Sequence, residues 1–199
     1  MKLEKLKVRL TLTENQLGTC PKNKEVYAAY IATKTDDVDK GKEEIQTVQE
    51  IEEKGWTGFH QDKQGIFIYD YMIKGFLKNA GNVLKGQKDM KNAVSKIDNF
   101  VFVFPRRIYP EFEGKPIHEP HGVLERPLRA MTMQGPRVTL ARSDYLNAGC
   151  KFEFEVKILV NNMRITAKYI ESLFEYGELC GLGQWRGGSQ GRFSFEVVK

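Results

Sequence analysis

IESLFEYGELCGLGQWRGGSQGRFSFEVVK, residues 170–199, joins the end of a helix, a glycine-rich loop and a closing strand. Ile170, Leu173, Phe174 and Gly177 fall at the i, i+3, i+4, i+7 spacing of one buried helical face. Phe193, Phe195 and Val197 alternate with Ser194 and Glu196, the period-2 pattern of a half-buried strand. Between them lie Gly181, Gly183, Gly187, Gly188 and Gly191. Glycines permit positive φ and close backbone approach. Gln184, Trp185, Arg186, Gln190 and Arg192 fill the gaps. An indole and guanidiniums on a loop without bulk suit a phosphate backbone with stacked bases. A plain linker carrying one exposed aromatic is the competing interpretation, because the spacing is neither Walker nor Rossmann.

Upstream, KLKVRLTLT (5–13) alternates cleanly: Leu6, Val8, Leu10 and Leu12 face one way, and Lys5, Lys7, Arg9 and Thr11 the other. KFEFEVKILV (151–160) repeats the pattern, with Phe152, Phe154, Val156, Ile158 and Val160 inward. GWTGFHQDKQGIFI contains two glycine turns and predicts a short hairpin. IYDYMIKGFLKNAGNVL is apolar at Tyr69, Met72, Ile73, Phe76, Leu77 and Ala80, which is helix spacing. NFVFVF (99–104) is apolar at every position but the first and predicts a strand covered on both faces, ended by Pro105. Residues 105–150 are expected to be irregular apart from a hairpin over 127–143 turning at Gly135-Pro136. Two acidic helices are expected within 21–55, the first capped by Asn23 and running to about Thr33, the second from about Gly41 to Lys54.

Charge is uneven. The chain of 199 residues carries a net +5. Residues 21–55 contain six Lys against nine Asp or Glu, whereas Lys74 to Arg107 contains eight Lys or Arg against Asp89 and Asp98. The basic run is the candidate anion-facing surface, and the acidic segment repels phosphate. A solvated basic face is the competing interpretation. Cys20, Cys150 and Cys180 are widely spaced without a CxxC, as in reduced thiols of a cytoplasmic protein. No apolar run approaches a membrane span, and no leader pattern opens the chain. His118 and His121 lack a visible third and fourth ligand, so no metal and no cofactor are expected. Asp36, Asp37 and Asp39 read as a turn cluster, with a metal-binding or RNA-cleaving acid as the alternative.

Without insertions the order is strand 5–13, helix 69–81, strand 99–104, strand 151–160, helix 164–180, strand 191–198. That is an α+β chain with a ferredoxin-like βαββαβ core, related in plan to RNA-recognition (RRM) folds. It predicts a single domain over 1–199 with an acidic helical insertion at 20–60 and a loop-plus-hairpin insertion at 105–150. The fold alone licenses no function.

Three stretches resemble the RAMP superfamily, the ferredoxin-like proteins of CRISPR effector complexes. IKGFLK (73–78) stands where that family has its "PGSSLKGALR" helix start, with Tyr-Asp-Tyr-Met in place of Pro-Gly-Ser-Ser. LTLTENQLGT (10–19) resembles its first strand running into a Leu-Gly turn. GELCGLGQWRGGSQGRFSFEV (177–197) resembles its C-terminal glycine-rich loop. Together they cover about half the chain, and a stand-alone relative from a virus or mobile element fits as well as a host CRISPR subunit. The resemblance implies backbone-type binding of single-stranded RNA, side-by-side assembly as a homo-oligomer or with related subunits, and a β-hairpin thumb, here 127–143.

The leading expectation is therefore a non-enzymatic, sequence-tolerant single-strand binder, with RNA and DNA both open as ligands. Its candidate contacts are Lys74, Lys78, Arg106, Arg107, Arg129, Arg137, Arg142, Gln184, Trp185, Arg186 and Arg192. Cations displace counterions from phosphates, and aromatics stack on bases. One alternative is a metal-independent, guide-processing endoribonuclease. It needs a general base near a 2′-hydroxyl, for which His60 is the candidate, with Lys63 or Tyr69 nearby. The other alternative is a protein-binding mimic of a RAMP subunit.

Overall fold

A computed structural model describes residues 2–22, 55–86, 91–132, 135–160 and 165–198. The two helices expected within 21–55 lie outside the described residues. In chain order the elements used below are β1 (Lys2–Leu12), β2 (His60–Asp62), β3 (Gly65–Tyr69), α1 (Asp70–Val83), α2 (Ala93–Phe100), β4 (Val101–Phe104), β5 (Arg107–Ile108), β6 (Gly122–Thr132), β7 (Gly135–Leu146), β8 (Lys151–Val160), α3 (Ala167–Cys180) and β9 (Phe193–Val198). The fold is mixed, with three α-helices among the described residues and strands making up most of the rest. It divides into two compact units: 1–16 with 60–119 and 147–199, and 17–59 with 120–146.

The first unit is built on the sheet β4-β8-β1-β9, in which every neighbouring pair is antiparallel. Register explains its two faces. Leu6, Val8 and Leu10 lie opposite Val156, Phe154 and Phe152, and Leu10 and Leu12 lie opposite Phe195 and Phe193. These residues form one apolar face, on which α1 and α3 pack. Phe174 lies between sheet and helix, with ring centroids 6.1 Å from Phe154, 6.0 Å from Phe76 and 5.5 Å from Phe195. A Cβ on Gly177 would run into the Phe76 and Phe193 rings, so glycine sets how closely α3 approaches. Thr166 caps α3 by accepting from the Tyr169 N–H at 3.3 Å. The opposite face carries charge: Arg9 donates to Glu153 at 2.6 Å and to Glu196 at 2.7 Å across three strands.

The stretch 99–104 departs from expectation in two ways. Asn99 and Phe100 end α2, and the strand covers only Val101–Phe104. At eight residues α2 is shorter than the window over which helical periodicity is read. The strand is also not covered on both sides: Val101 and Val103 are buried, while Phe102 and Phe104 are 41% and 44% exposed. The segment after Pro105 is not wholly irregular, since Arg107–Ile108 pairs with Ile68–Tyr69, and Glu111–Phe112 pairs with Lys115–Pro116. The expected hairpin near residue 60 forms as β2–β3.

The second unit is dominated by the antiparallel ribbon β6–β7, longer than the expected 127–143. Thr132 pairs with Gly135, so Gly135-Pro136 opens the second strand rather than turning the hairpin. Proline, which donates no ladder hydrogen bond, is tolerated near such a strand end. Near the ribbon's base, Asp144 is buried and accepts from Trp56 Nε1 at 2.9 Å, with Lys22 Nζ 2.8 Å away.

Candidate nucleic-acid interface

The expected contact residues fall at four places. The first is the loop after α3. It closes on itself, with the Gly188 N–H donating to Trp185 O at 2.9 Å, and it is clipped to the strand side by Leu182 N–H to Gly191 O at 2.8 Å. Gly181 and Gly191 have φ of +82° and +73°, and a Cβ on either would strike backbone, so these two glycines serve the chain's path. Trp185 is 42% exposed at φ 55°, a left-handed conformation that bulky residues rarely adopt. With Arg186, Tyr176, Leu179 and Asn79 it lines an open cleft of about 620 Å³. Gln184 lines the same cleft. Arg186 Nη1 lies 3.7 Å from Cys180 Sγ. Arg192 is partly committed elsewhere: its Nε donates to Leu179 O at 3.1 Å, satisfying a carbonyl at the open end of α3.

The second place is the exposed side of α1. Lys74 and Lys78 are one helical turn apart and both reach the end of α2. Lys78 pairs with the Asp98 carboxylate at 2.8 Å, and Lys74 donates to the Asp98 carbonyl at 3.0 Å. The hydrogen bond from Lys78 outweighs desolvation and holds the Asp98 carboxyl below its ordinary range. Lys74 Nζ also lies 5.4 Å from the centroid of the Phe102 ring.

At the third place, where α1 meets β5, sequence reading named the two arginines but not their surroundings. The Asp70 N–H donates to Arg106 O at 3.0 Å, and Tyr69 pairs with Arg107. These contacts bring the Arg106–Arg107 pair onto a cluster of rings. Arg106 lies 6.0 Å from the Tyr69 centroid and Arg107 5.1 Å from Phe67. Tyr71, 55% exposed, stacks on Tyr69 at 5.2 Å with 19° between planes. Phe67 meets Tyr109 at 5.7 Å. Asp62 accepts from Arg107 at 2.7 Å and from the Tyr109 hydroxyl at 2.8 Å. Burial pulls the Asp62 carboxyl upward, but these bonds and the Gln64 N–H hold it below its ordinary range. Arg107 is thus fixed in place, whereas Arg106 is exposed with no ion pair among the described residues. His60 completes the cluster, 4.8 Å from Tyr69 and 5.7 Å from Phe67. Burial pushes its pKa down, so the imidazole is neutral at pH 7. The signal for this cluster was His60 facing Phe67 across a hairpin, with Tyr69 two residues on and Tyr71 at the start of α1, legible only once the register is known.

The ribbon is the fourth place. Arg142 pairs with Glu125 at 2.8 Å and lies 6.0 Å from the Trp56 ring. Arg129 lies opposite Val138, and Arg137 opposite Ala130, which puts positions 129 and 142 on one face of the ribbon and 137 on the other. The side chains of Arg129 and Arg137 lie outside the described part of the molecule.

Among the described residues no group of three or more His, Cys, Asp or Glu is placed to hold a metal, and no helix is long and apolar enough to cross a membrane.

No protein-family model matches the chain, and neither does any curated protein. Among solved structures 124 chains match. One belongs to a cryo-EM structure of the type III-B Cmr-beta complex bound to cognate target RNA, at TM-score 0.56 and 13% identity. That alignment covers 100% of this chain and 61% of the other, so this chain spans about six-tenths of its neighbour's length. Another belongs to a type IV-B CRISPR complex, at TM-score 0.51 and 10% identity, covering 98% of this chain and 90% of the other. At these identities the likeness is one of fold, and the fold is shared with subunits of CRISPR complexes.

Proposed function

We propose that this chain is a RAMP-type subunit that binds single-stranded RNA through its backbone, with little regard to sequence, as part of an assembly of like or related subunits. The observation that carries the reading is the placement of Arg106 and Arg107 over Tyr69 and Phe67, beside the exposed Tyr71. A guanidinium pair on a stacked ring cluster joins the two chemistries that single-strand binding needs, phosphate neutralisation and base stacking. The fold supports it in two ways. The sheet order β4-β8-β1-β9, antiparallel throughout, is the order that a ferredoxin-like βαββαβ core requires. The chain's fold neighbours include a subunit of a complex bound to target RNA. Lys74, Lys78 and the Trp185 cleft are further contact places on the first unit, and the β6–β7 ribbon of the second unit is the candidate thumb.

The test is fluorescence anisotropy with a labelled single-stranded RNA. Arg106→Ala with Arg107→Ala should weaken binding about ten-fold or more for unrelated sequences alike, and the salt dependence should become shallower. Wild-type affinity in a folded double variant would refute the assignment of this cluster.

A further inference from the structure

The open face of the sheet carries two rings that the fold does not use. Phe102 and Phe104 lie opposite Lys157 and Glu155 in the β4–β8 register, whereas the alternate residues Val101 and Val103 are buried under the helices. Each ring is about two-fifths exposed, leaving apolar surface in water that burial would remove. A small or polar residue would serve the strand equally well on a solvated face.

Both rings have a cation over them. Lys157 Nζ is 4.1 Å from the Phe104 centroid, and Lys74 Nζ is 5.4 Å from that of Phe102. Phe104, Pro105, Lys7, Glu153 and Glu155 line a shallow cleft of about 540 Å³. We propose that this strip is a nucleobase subsite, in which unpaired bases of an RNA strand stack on Phe104 and Phe102 while Lys157 and Lys74 meet the flanking phosphates. The inference rests on the RNA-binding reading above and adds a second surface to it.

Charge distribution favours a base over a phosphate at the ring itself. Glu153 and Glu155 border the cleft, Glu153 paired with Arg9 and Lys7 and Glu155 with Lys157; carboxylates beside the ring, with oxygens able to accept from a base's N–H groups, suit a base better than a phosphate there. The rings are two residues apart on one strand, roughly 7 Å. That is about twice the 3.4 Å step of stacked bases, so the strip suits an unstacked single strand rather than a duplex. A protein partner suits it less, because the core of a protein interface is depleted of charge, and here Lys7, Arg9, Glu153, Glu155 and Lys157 frame two rings only.

The experiment compares a uridine twelve-nucleotide RNA with an abasic-ribose strand of the same length and charge, using wild type, Phe102→Leu/Phe104→Leu and Phe104→Trp. The Leu pair should bind the uridine strand about ten-fold or more weakly, as expected for roughly 1–3 kcal/mol of stacking per base, and the abasic strand within two-fold of wild type. Phe104→Trp should keep or exceed wild-type affinity for uridine. Equal losses on both strands, or no loss on the uridine strand, would overturn the subsite while leaving the arginine cluster standing. Unchanged RNA affinity with reduced self-association would assign the strip to protein contact and overturn the proposal. If wild type binds neither strand, the RNA reading itself fails, and this one with it.

Discussion

Trp185 pays for its position: at φ 55° an indole-bearing residue sits where glycine is comfortable, while Gly187 and Gly188 beside it do without side chains. Strain of this kind persists where something else gains from it, and it clusters at binding sites. The residue is 42% exposed, so its truncation removes less buried volume than that of a core tryptophan. Trp185→Ala should therefore lower the melting temperature only modestly and weaken single-strand RNA binding by about ten-fold. A fully buried tryptophan would instead cost roughly 3–5 kcal/mol on truncation. Paired thermal melts and RNA titrations of the same variant separate the cases, and a large fall in melting temperature with unaltered affinity makes the loop structural.

His60 gives a second residue-scale prediction. Burial holds its folded pKa below the ordinary 6.5. As pH falls through that ordinary value, the unfolded chain takes up a proton that the folded chain still refuses, so stability declines. The decline stops once pH passes below the folded pKa. His60→Phe, which keeps a ring between Phe67 and Tyr69, should flatten this segment of the stability–pH curve. A slope unchanged in that variant would assign the acid sensitivity elsewhere. On the non-enzymatic reading no metal-independent cleavage is seen in wild type; site-specific cutting lost in His60→Ala would favour the ribonuclease.

At the scale of elements, α1 couples the two kinds of evidence. Its buried face, Ile73, Phe76, Leu77 and Ala80, was legible because 14 residues give the apolar spacing room to repeat. Its outer lysines were legible as charges, but not as partners of Asp98, because α2 was not legible at all. Reversing Lys74 and Lys78 to Glu should weaken RNA binding alike for all sequences and flatten the salt slope. The lost ion pair is exposed, so the melting temperature should fall only slightly. Unchanged affinity in the folded double variant would remove α1 from the RNA path. The same contrast separates β8 from β4. Eight residues of strict alternation in β8, Lys151 to Ile158, declare an inner and an outer face. In β4 both faces are apolar, and only the contrast of valine with phenylalanine distinguishes buried from exposed.

For the whole molecule, the sheet that carries the first unit was readable from β1, β8 and β9, each with its own period-2 signal. The candidate surface was readable only in part. Arg106 and Arg107 stand out as charges after a proline, but the rings beneath them come from a hairpin some forty residues earlier, and only register brings them together. Glycines of the last loop were read as permitting positive φ and close backbone approach, and Gly181 and Gly191 are demanded by backbone crossings of that kind. Residue type announced flexibility there without saying what it served.

The claim that these cations bind an RNA backbone has a direct thermodynamic signature. Cations that neutralise phosphates release counterions, so log K should fall linearly with log salt, by about 0.7 for each contact on a single strand. Titrating the wild-type protein with one single-stranded RNA across a range of salt concentrations should give a slope of about −3 or steeper, as expected if four or more of Lys74, Lys78, Arg106, Arg107, Arg142 and Arg186 meet phosphates. A slope near zero, or no binding at the lowest salt, would contradict the account.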